Sequence, residues 1–397
     1  LVLSSFQPAK VIKTGSFKTH RKSSLHNILV VAQFVIAIAM ITATLIANDQ
    51  LTFMRTKNIG FDKNQVVVLP MNDTANEKYA TLKTELRALP DVLDVTASMQ
   101  RLGNNIHQMS IRAESEDTLR AMAPSNTVVD LNYLSFYGIE LVAGRGFSPE
   151  FADDRRGRSY VVNEAFVRDL GWDEAVGKGI KMSWHDTLGT VIGVVKDFHF
   201  NSLHEEIGPL VMSYQPDWGF GELSLRIAGG DVQATLAAIE NIWQRFVPDF
   251  PFHYTFLDQH FEEIYRTDQQ VSQVLGVVTV LAIIIACMGL FGLALISTTQ
   301  RTKEIGVRKV LGATVANVIT LLSKDFVRLV LLANIIAWPV TWLAMSNWLQ
   351  GFAYRIEIGW TLFALASGLA LVIALLTVCT QAIRAALANP VEALRYE

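Results

Sequence analysis

The sequence predicts a membrane protein, an α-helical bundle of four transmembrane spans with a large α/β extracytoplasmic domain inserted between spans one and two. Three observations predict it. Hydrophobic residues make up 51% of the 397-residue chain, yet 18% are still charged, so one part suits lipid and another suits water. Four apolar stretches approach or reach the length of about 20 residues that a bilayer core demands. Between the first and second of them lie residues 47–273, of ordinary polar composition.

The elements follow in order. Residues 1–27 form a basic segment with Lys10, Lys13, Lys18, Arg21 and Lys22 and no acidic residue, which the positive-inside rule places in the cytoplasm. Span one covers 28–46, and the outer domain with its stalk helices covers 47–273. Span two covers 274–296, a cytoplasmic loop 297–325, span three 326–343, a short external loop 344–359 with Arg355 and Glu357, span four 360–378, and a cytoplasmic tail 379–397 with Arg384 and Arg395. Spans one, two and four contain no Asp, Glu, Lys or Arg, and span three only Arg328 near its start, which argues against an ion relay through the helices. Gln33, Asn334 and the threonines are expected to bond between helices, and Pro339 to bend span three. Trp338, Trp342, Trp348 and Trp360 gather toward the outer ends of spans three and four, as in an interfacial belt. Cys287 lies in span two and Cys379 at the inner end of span four, outside residues 47–273, so no disulfide staples the outer domain, which is long enough to bury its own core.

Within the outer domain, Gln65–Leu69 reads as a strand, Glu77–Ala88 as a helix and Leu93–Ser98 as a strand. A second such unit is Leu223–Ala228, Val232–Phe246 and His253–Leu257. The insertion between them holds turns such as Gly144-Arg145-Gly146, a helix over Asn163–Leu170 and an apolar strand over Thr190–Val195, so two subdomains are expected. Asp258–Gln270 and Ile46–Lys57 are expected to prolong spans two and one as stalks.

Residues 301–314, between spans two and three, are built to dock a partner. At about 100° per residue Val307, Val310 and Leu311 share one arc of a helix, and Arg301, Glu304 and Arg308 another. Glu304 stands three residues after Arg301 and four before Arg308, so the polar arc holds its charges in register. Gly312 suits a left-handed helix end and Thr314 the cap of the next helix. An ordinary basic cytoplasmic loop reads equally well from these residues alone.

Several chemistries are excluded. The chain has no G-x-x-x-x-G-K-[ST] phosphate loop, no G-x-S-x-G elbow and no H-E-x-x-H zinc helix, so no catalytic residue, metal site or cofactor is expected and any motor is another polypeptide. Asp197, His199, His204, Glu205 and Glu206 have residue types that suit zinc, but structural or solvated roles are the commoner outcome for them. His185-Asp186 and Asp153-Asp154-Arg155-Arg156 read as solvated turns. The basic stretch from Lys10 to Lys22 stands directly before a span, which makes it a topology signal and a contact for anionic lipid, not nucleic acid.

Four stretches together resemble the FtsX-like ABC transporter permease family with a MacB-type periplasmic core domain. They are Tyr137-Gly138-Ile139-Glu140-Leu141-Val142-Ala143-Gly144-Arg145-Gly146-Phe147, Val162-Asn163-Glu164 through Leu170-Gly171-Trp172, Gly193-Val194-Val195-Lys196-Asp197-Phe198-His199-Phe200, and Arg301 to Ala313. The resemblance implies a bacterial inner-membrane permease with both termini cytoplasmic and the large domain outside, working with a cytoplasmic ABC ATPase. It makes Arg301, Lys303, Glu304, Ile305, Gly306, Val307, Arg308, Lys309, Val310, Leu311 and Gly312 the surface that couples to that ATPase. The implied mechanism is mechanotransmission, in which motor closure moves the helices and the stalk carries the movement outward for export or lipoprotein release. A non-transporting transmembrane regulator of an extracytoplasmic enzyme, such as a cell-wall hydrolase, is the other reading. A periplasmic adaptor or outer-membrane channel and a second permease half or copy are further partners it implies. The chain begins with Leu1, which reads as a piece of a longer protein. Ser5 to Lys13 parallels Ala388 to Arg395 in residue type, as in the second half of a doubled permease.

Overall fold

Among the described residues, four helices are long and apolar enough to cross a membrane: Leu25–Thr56, Arg266–Gln300, Ile319–Leu349 and Trp360–Ile383. The computed structural model describes residues 19–115, 118–301, 308, 311 and 314–387. The chain divides into two units, one holding these four helices, the other Thr56–Thr267 together with Phe352–Tyr354.

The helical unit is packed with small residues inside and large ones outside. Its buried cluster draws Ala37, Ala286, Ala294, Ala333, Ala337, Ala370 and Ala374 from all four helices, with Phe34, Leu290, Phe326 and Val330 among them. The large apolar side chains face out, with Met288 69% and Ile335 72% exposed. Lipid is as apolar as Leu, so burying Leu gains little there, and small residues gain by letting backbones approach closely. Gly289 marks one such approach, since a Cβ on it would lie 2.0 Å from Gln33 Oε1. Thr44 and Thr279 hydroxyls bond at 2.8 Å, Ser272 donates to Asn48 Oδ1 at 2.8 Å, and Trp338 Nε1 donates to Ser367 Oγ at 3.0 Å while Ser367 bonds Asn334. Thr44, Thr279 and Asn334 thus bond between helices, as expected, whereas Gln33 Oε1 is buried with no hydrogen-bond partner among the described residues. Pro339 lies inside the continuous helix Val315–Leu349.

The other unit starts with strand β1 (Val66–Pro70), crosses through helix Tyr79–Arg87, and returns as β2 (Val92–Ser98). A long insertion follows, with β3 (Ile111–Ser115), β4 (Thr118–Met122), β5 (Ser125–Val128), β6 (Leu141–Gly144), β7 (Ser159–Asn163), β8 (Gly179–Met182), β9 (Gly189–Val195) and β10 (Leu210–Ser213). The first sheet then resumes with β11 (Glu222–Ile227), helix Val232–Phe246 and β12 (Thr255–Phe256). Its order is β12-β1-β11-β2, every neighbour antiparallel. Each half is therefore a split strand-helix-strand unit whose gap is filled by a strand of the other. The two helices cover one face: Leu82 and Leu86 from the first, and Leu236, Ile239 and Trp243 from the second, bury into a cluster with Val67, Leu69, Val95 and Leu225. Each large side chain so buried contributes about 1.5–3 kcal/mol before chain entropy is counted.

The insertion forms a second sheet, β4-β3-β8-β9-β7-β10-β5, with β6 added against β9. Its own core gathers Tyr160, Val162, Phe166, Ile180, Val191, Val194 and Val211. The expected apolar strand at Thr190–Val195 is β9, next to β7 in the interior of this sheet.

Three local expectations need correction. The helix expected over Glu77–Ala88 is two pieces, Asp73–Glu77 and Tyr79–Arg87, parted at Lys78. The strand expected over His253–Leu257 shrinks to Thr255–Phe256, because Leu257 opens the next helix and buries there. The stalk over Asp258–Gln270 is interrupted: helix Leu257–Ile264 stops at Tyr265, and a new helix starts at Arg266. Tyr265 is buried, and its hydroxyl accepts a bond from the Leu203 backbone N–H at 3.1 Å. The first long helix, Thr19–Thr56, by contrast runs without a break through 28–46 to Thr56, as the extension expected over Ile46–Lys57 requires.

Candidate coupling surface and outer-domain scaffold

The segment expected to dock a partner begins where the second long helix ends. Arg301 closes that helix and its guanidinium meets Asp325 at 2.9 Å, with Arg328 4.0 Å from the other carboxylate oxygen. Thr314 caps the next helix, its hydroxyl accepting from Asn317 N at 3.4 Å, as expected from its residue type. Leu311 is 80% exposed and Arg308 is exposed. Lys303, Glu304, Ile305, Gly306, Val307, Lys309, Val310 and Gly312 lie outside the described residues, so the two expected arcs have no described geometry. Asp325, which holds Arg301, is a residue that the pattern of the segment did not single out.

The remaining motif residues build the outer domain. Asn163 is buried and uses its whole amide: Oδ1 accepts from Phe166 N at 3.1 Å and Leu210 N at 2.9 Å, while Nδ2 donates to Asp197 Oδ1 and Gly208 O, both at 2.9 Å. The first of these bonds caps helix Glu164–Leu170. Asp197 also accepts from Ala165 N at 2.9 Å and pairs with Arg168 at 2.5 Å, and Glu164 accepts from Asp197 N at 3.0 Å. The motif around Asn163 and the motif around Asp197 are thus one bonded joint at the start of that helix.

Arg145 makes a second joint. Its two terminal nitrogens reach Asp154 at 2.7 and 3.0 Å, and Ser148 N and Ser159 Oγ also donate to this carboxylate. Burial alone would raise the Asp154 carboxyl, but the bonds from Arg145, Ser159 and Ser148 outweigh it and hold it below the ordinary carboxylate range. The reading of Asp153-Asp154-Arg155-Arg156 as a solvated turn is therefore wrong for Asp154, which is fully buried; a carboxylate with this many donors has no need of water. Gly144, at φ +74°, lets the chain pass β9, since a Cβ there would stand 2.2 Å from Ile192 O.

The residues weighed for zinc do not converge on a metal. Asp197 is engaged as above, Glu205 accepts from Asn201 Nδ2 at 3.0 Å, and no group of three or more His, Cys, Asp or Glu side chains fit for a metal occurs among the described residues. His199 and His204 instead pack on aromatic rings: His199 edge-on to Tyr354 with centroids 4.5 Å apart, His204 stacked on Phe352 at 4.7 Å. Burial pushes His199 down to about 4, nearby Lys57 adds to this, and Asp197 opposes it. Phe352 and Tyr354 stand in the loop between the third and fourth long helices. Sequence reading saw only Arg355 and Glu357 in it; two aromatic residues spaced two apart beside Gly351 were the available signal.

Comparison with known proteins matches this arrangement. Residues 28–241 match the MacB-like periplasmic core domain model and residues 276–390 the FtsX-like permease C-terminal model. The chain is 26% identical over 364 residues to macrolide export ATP-binding/permease protein MacB 2 of Aeromonas hydrophila, covering 88% of this chain and 54% of that protein. It is 21% identical over 345 residues to the uncharacterized ABC transporter permease YknZ of Bacillus subtilis, covering 83% and 82%. The chain thus spans about half the length of the Aeromonas relative. The crystal structure of the periplasmic region of MacB from Actinobacillus actinomycetemcomitans aligns with a TM-score of 0.38 at 14% identity, over 53% of this chain and 97% of that one. Four apolar helices beside an extracytoplasmic domain make this a membrane protein. The chain belongs to the family of FtsX-like ABC transporter permeases with a MacB-like periplasmic core domain.

Proposed function

We propose that this chain is the permease subunit of an ATP-driven transporter in which a separate cytoplasmic ATPase drives movement of the outer domain, for export or lipoprotein release. The observation that carries this reading is the pairing of permease and periplasmic-core matches along one chain. The names of relatives that export macrolides and of a probable syringafactin exporter favour export. In this reading the chain sits in a bacterial inner membrane, termini inside and outer domain outside. The basic residues before the first span and between the second and third support that orientation. The segment from Arg301 to Gly312 meets the ATPase, and the exposed Leu311 is a suitable contact for it. Anionic lipid at the basic first segment, a second permease half or copy, and an adaptor or outer-membrane channel complete the machine. Force can pass outward without a polar path through lipid, in keeping with spans almost free of charge.

The test is copurification of the full-length protein from mild detergent. An ATPase subunit that comes with the wild type and is lost with Glu304→Arg supports the reading. An ATPase that is absent, or that binds the variant equally, overturns the motor-coupled permease or its docking face respectively, and absence favours a stand-alone regulator.

A further inference from the structure

The loop between the third and fourth long helices carries three residues, Phe352–Tyr354, that group with the outer domain. They are held there by five contacts of different kinds. The Ala353 backbone N–H donates to His204 O at 3.3 Å, and the Tyr354 hydroxyl accepts from Ile207 N at 3.3 Å. Phe352 stacks on His204 at 4.7 Å, His199 meets the Tyr354 ring edge-on at 4.5 Å, and Lys57 Nζ lies 3.7 Å from the centre of the same ring. Phe352 and His199 are 6% and 5% exposed, so water does not compete for these contacts.

We propose that Phe352, Ala353 and Tyr354 form a clasp that fastens the loop between the third and fourth spans to the outer domain. The domain is then held at three places along the chain: after Arg55, before Asp268, and at the clasp. The partners of the clasp come from Lys57, where the chain enters the domain, and from His199–Ile207, just after β9. A displacement of the loop is therefore felt at Lys57, where the chain enters the domain, and at the segment between β9 and β10. Its use in transmitting motor movement rests on the proposed permease function; the fastening itself does not. An uncharged His199 suits the site, because an imidazolium beside Lys57 would set like charges over one ring.

Hydrogen–deuterium exchange of the full-length chain in lipid nanodiscs tests the clasp, comparing wild type with Phe352→Ala/Tyr354→Ala and with Tyr354→Phe. The wild type is expected to protect peptides covering 352–356 and 203–208. The double variant speeds both about tenfold or more while helix Val232–Phe246 keeps its protection. Tyr354→Phe keeps the ring contacts and releases only the Ile207 amide, so it decides the matter if the double variant unfolds the domain. Free exchange of 352–356 in the wild type, or a double variant that loosens the loop and leaves 203–208 unchanged, overturns the proposal. Because the assay needs neither ATPase nor cargo, the clasp and the motor-coupled reading fail separately.

Discussion

Asn163 Nδ2 lies 2.9 Å from Asp197 Oδ1, and through that bond the cap of one helix is joined to the strand end of β9. Both residues belong to stretches that identify the family, and their shared role is architectural. Asn163→Ala leaves Phe166 N, Leu210 N and Gly208 O buried without their partner. The expected cost is roughly 3 kcal/mol, seen as a fall of about 6–12 °C in thermal unfolding of the purified protein. Asn163→Asp should be worse than Asp197→Asn, since it sets two carboxylates face to face; equal midpoints would show that the bond matters little.

Arg145 and Asp154 set an acid limit. The folded carboxyl of Asp154 is held below its unfolded value of about 3.9, so its stabilisation is fully present above that pH and is lost as pH falls through the folded value. Unfolding midpoints taken between pH 6 and pH 3 should fall for the wild type below about pH 4. Asp154→Asn should be less stable by roughly 2–3 kcal/mol at pH 7, with that acid-dependent part gone. Arg145→Lys keeps the charge, loses the two-pronged contact, and should fall between them.

His199 titrates in the opposite chemical sense. Its folded value of about 4 lies below the unfolded 6.5, so folding favours the neutral ring. Stability is fully present above about pH 6.5 and declines as pH falls toward 4, by up to about 3 kcal/mol in total. The groups facing the ring are Lys57 and Asp197, with Tyr354 against its edge. His199→Gln should flatten the wild-type decline between pH 6.5 and pH 4 in thermal unfolding; an unchanged slope would place that proton uptake on another group.

The apolar runs and the 3.6-residue pattern made the four long helices and Val232–Phe246 legible, because a helix writes its buried face at a fixed spacing. Both strand-helix-strand units were also legible, but not that β1 and β11 interleave, since strand order depends on pairing across more than 150 residues of chain. Asp154 looked like a solvated charge for a different reason: its partners Arg145 and Ser159 are only nine and five residues away, but they stand at the ends of β6 and β7, and only the folded chain shows that they converge on it. His199 and His204, weighed for zinc on residue type alone, pack on Tyr354 and Phe352 about 150 residues away, neighbours that no local spacing shows. Phe352 and Tyr354 had no periodic context in a short loop, so their spacing beside Gly351 was too weak a signal to tell the proposed clasp from an exposed turn.

Arg301 separates positioning from contact at the docking segment. Its pair with Asp325 is half exposed, so breaking it costs only about 0.2–1 kcal/mol and leaves the protein folded. Because Asp325 engages Arg301, the arginine is expected to orient the start of the segment that meets the ATPase on the proposed reading, with the residues after it making most of the contact. Arg301→Ala should therefore lower ATPase copurification less than Arg308→Ala or Glu304→Ala. Asp325→Arg alone should reproduce the Arg301 loss, and Arg301→Asp combined with Asp325→Arg should restore most of the yield, since the swap rebuilds the pair with its signs exchanged. If Arg301→Ala is as damaging as Glu304→Ala and the swap restores nothing, Arg301 touches the ATPase itself, and the pair with Asp325 is broken when the two subunits meet.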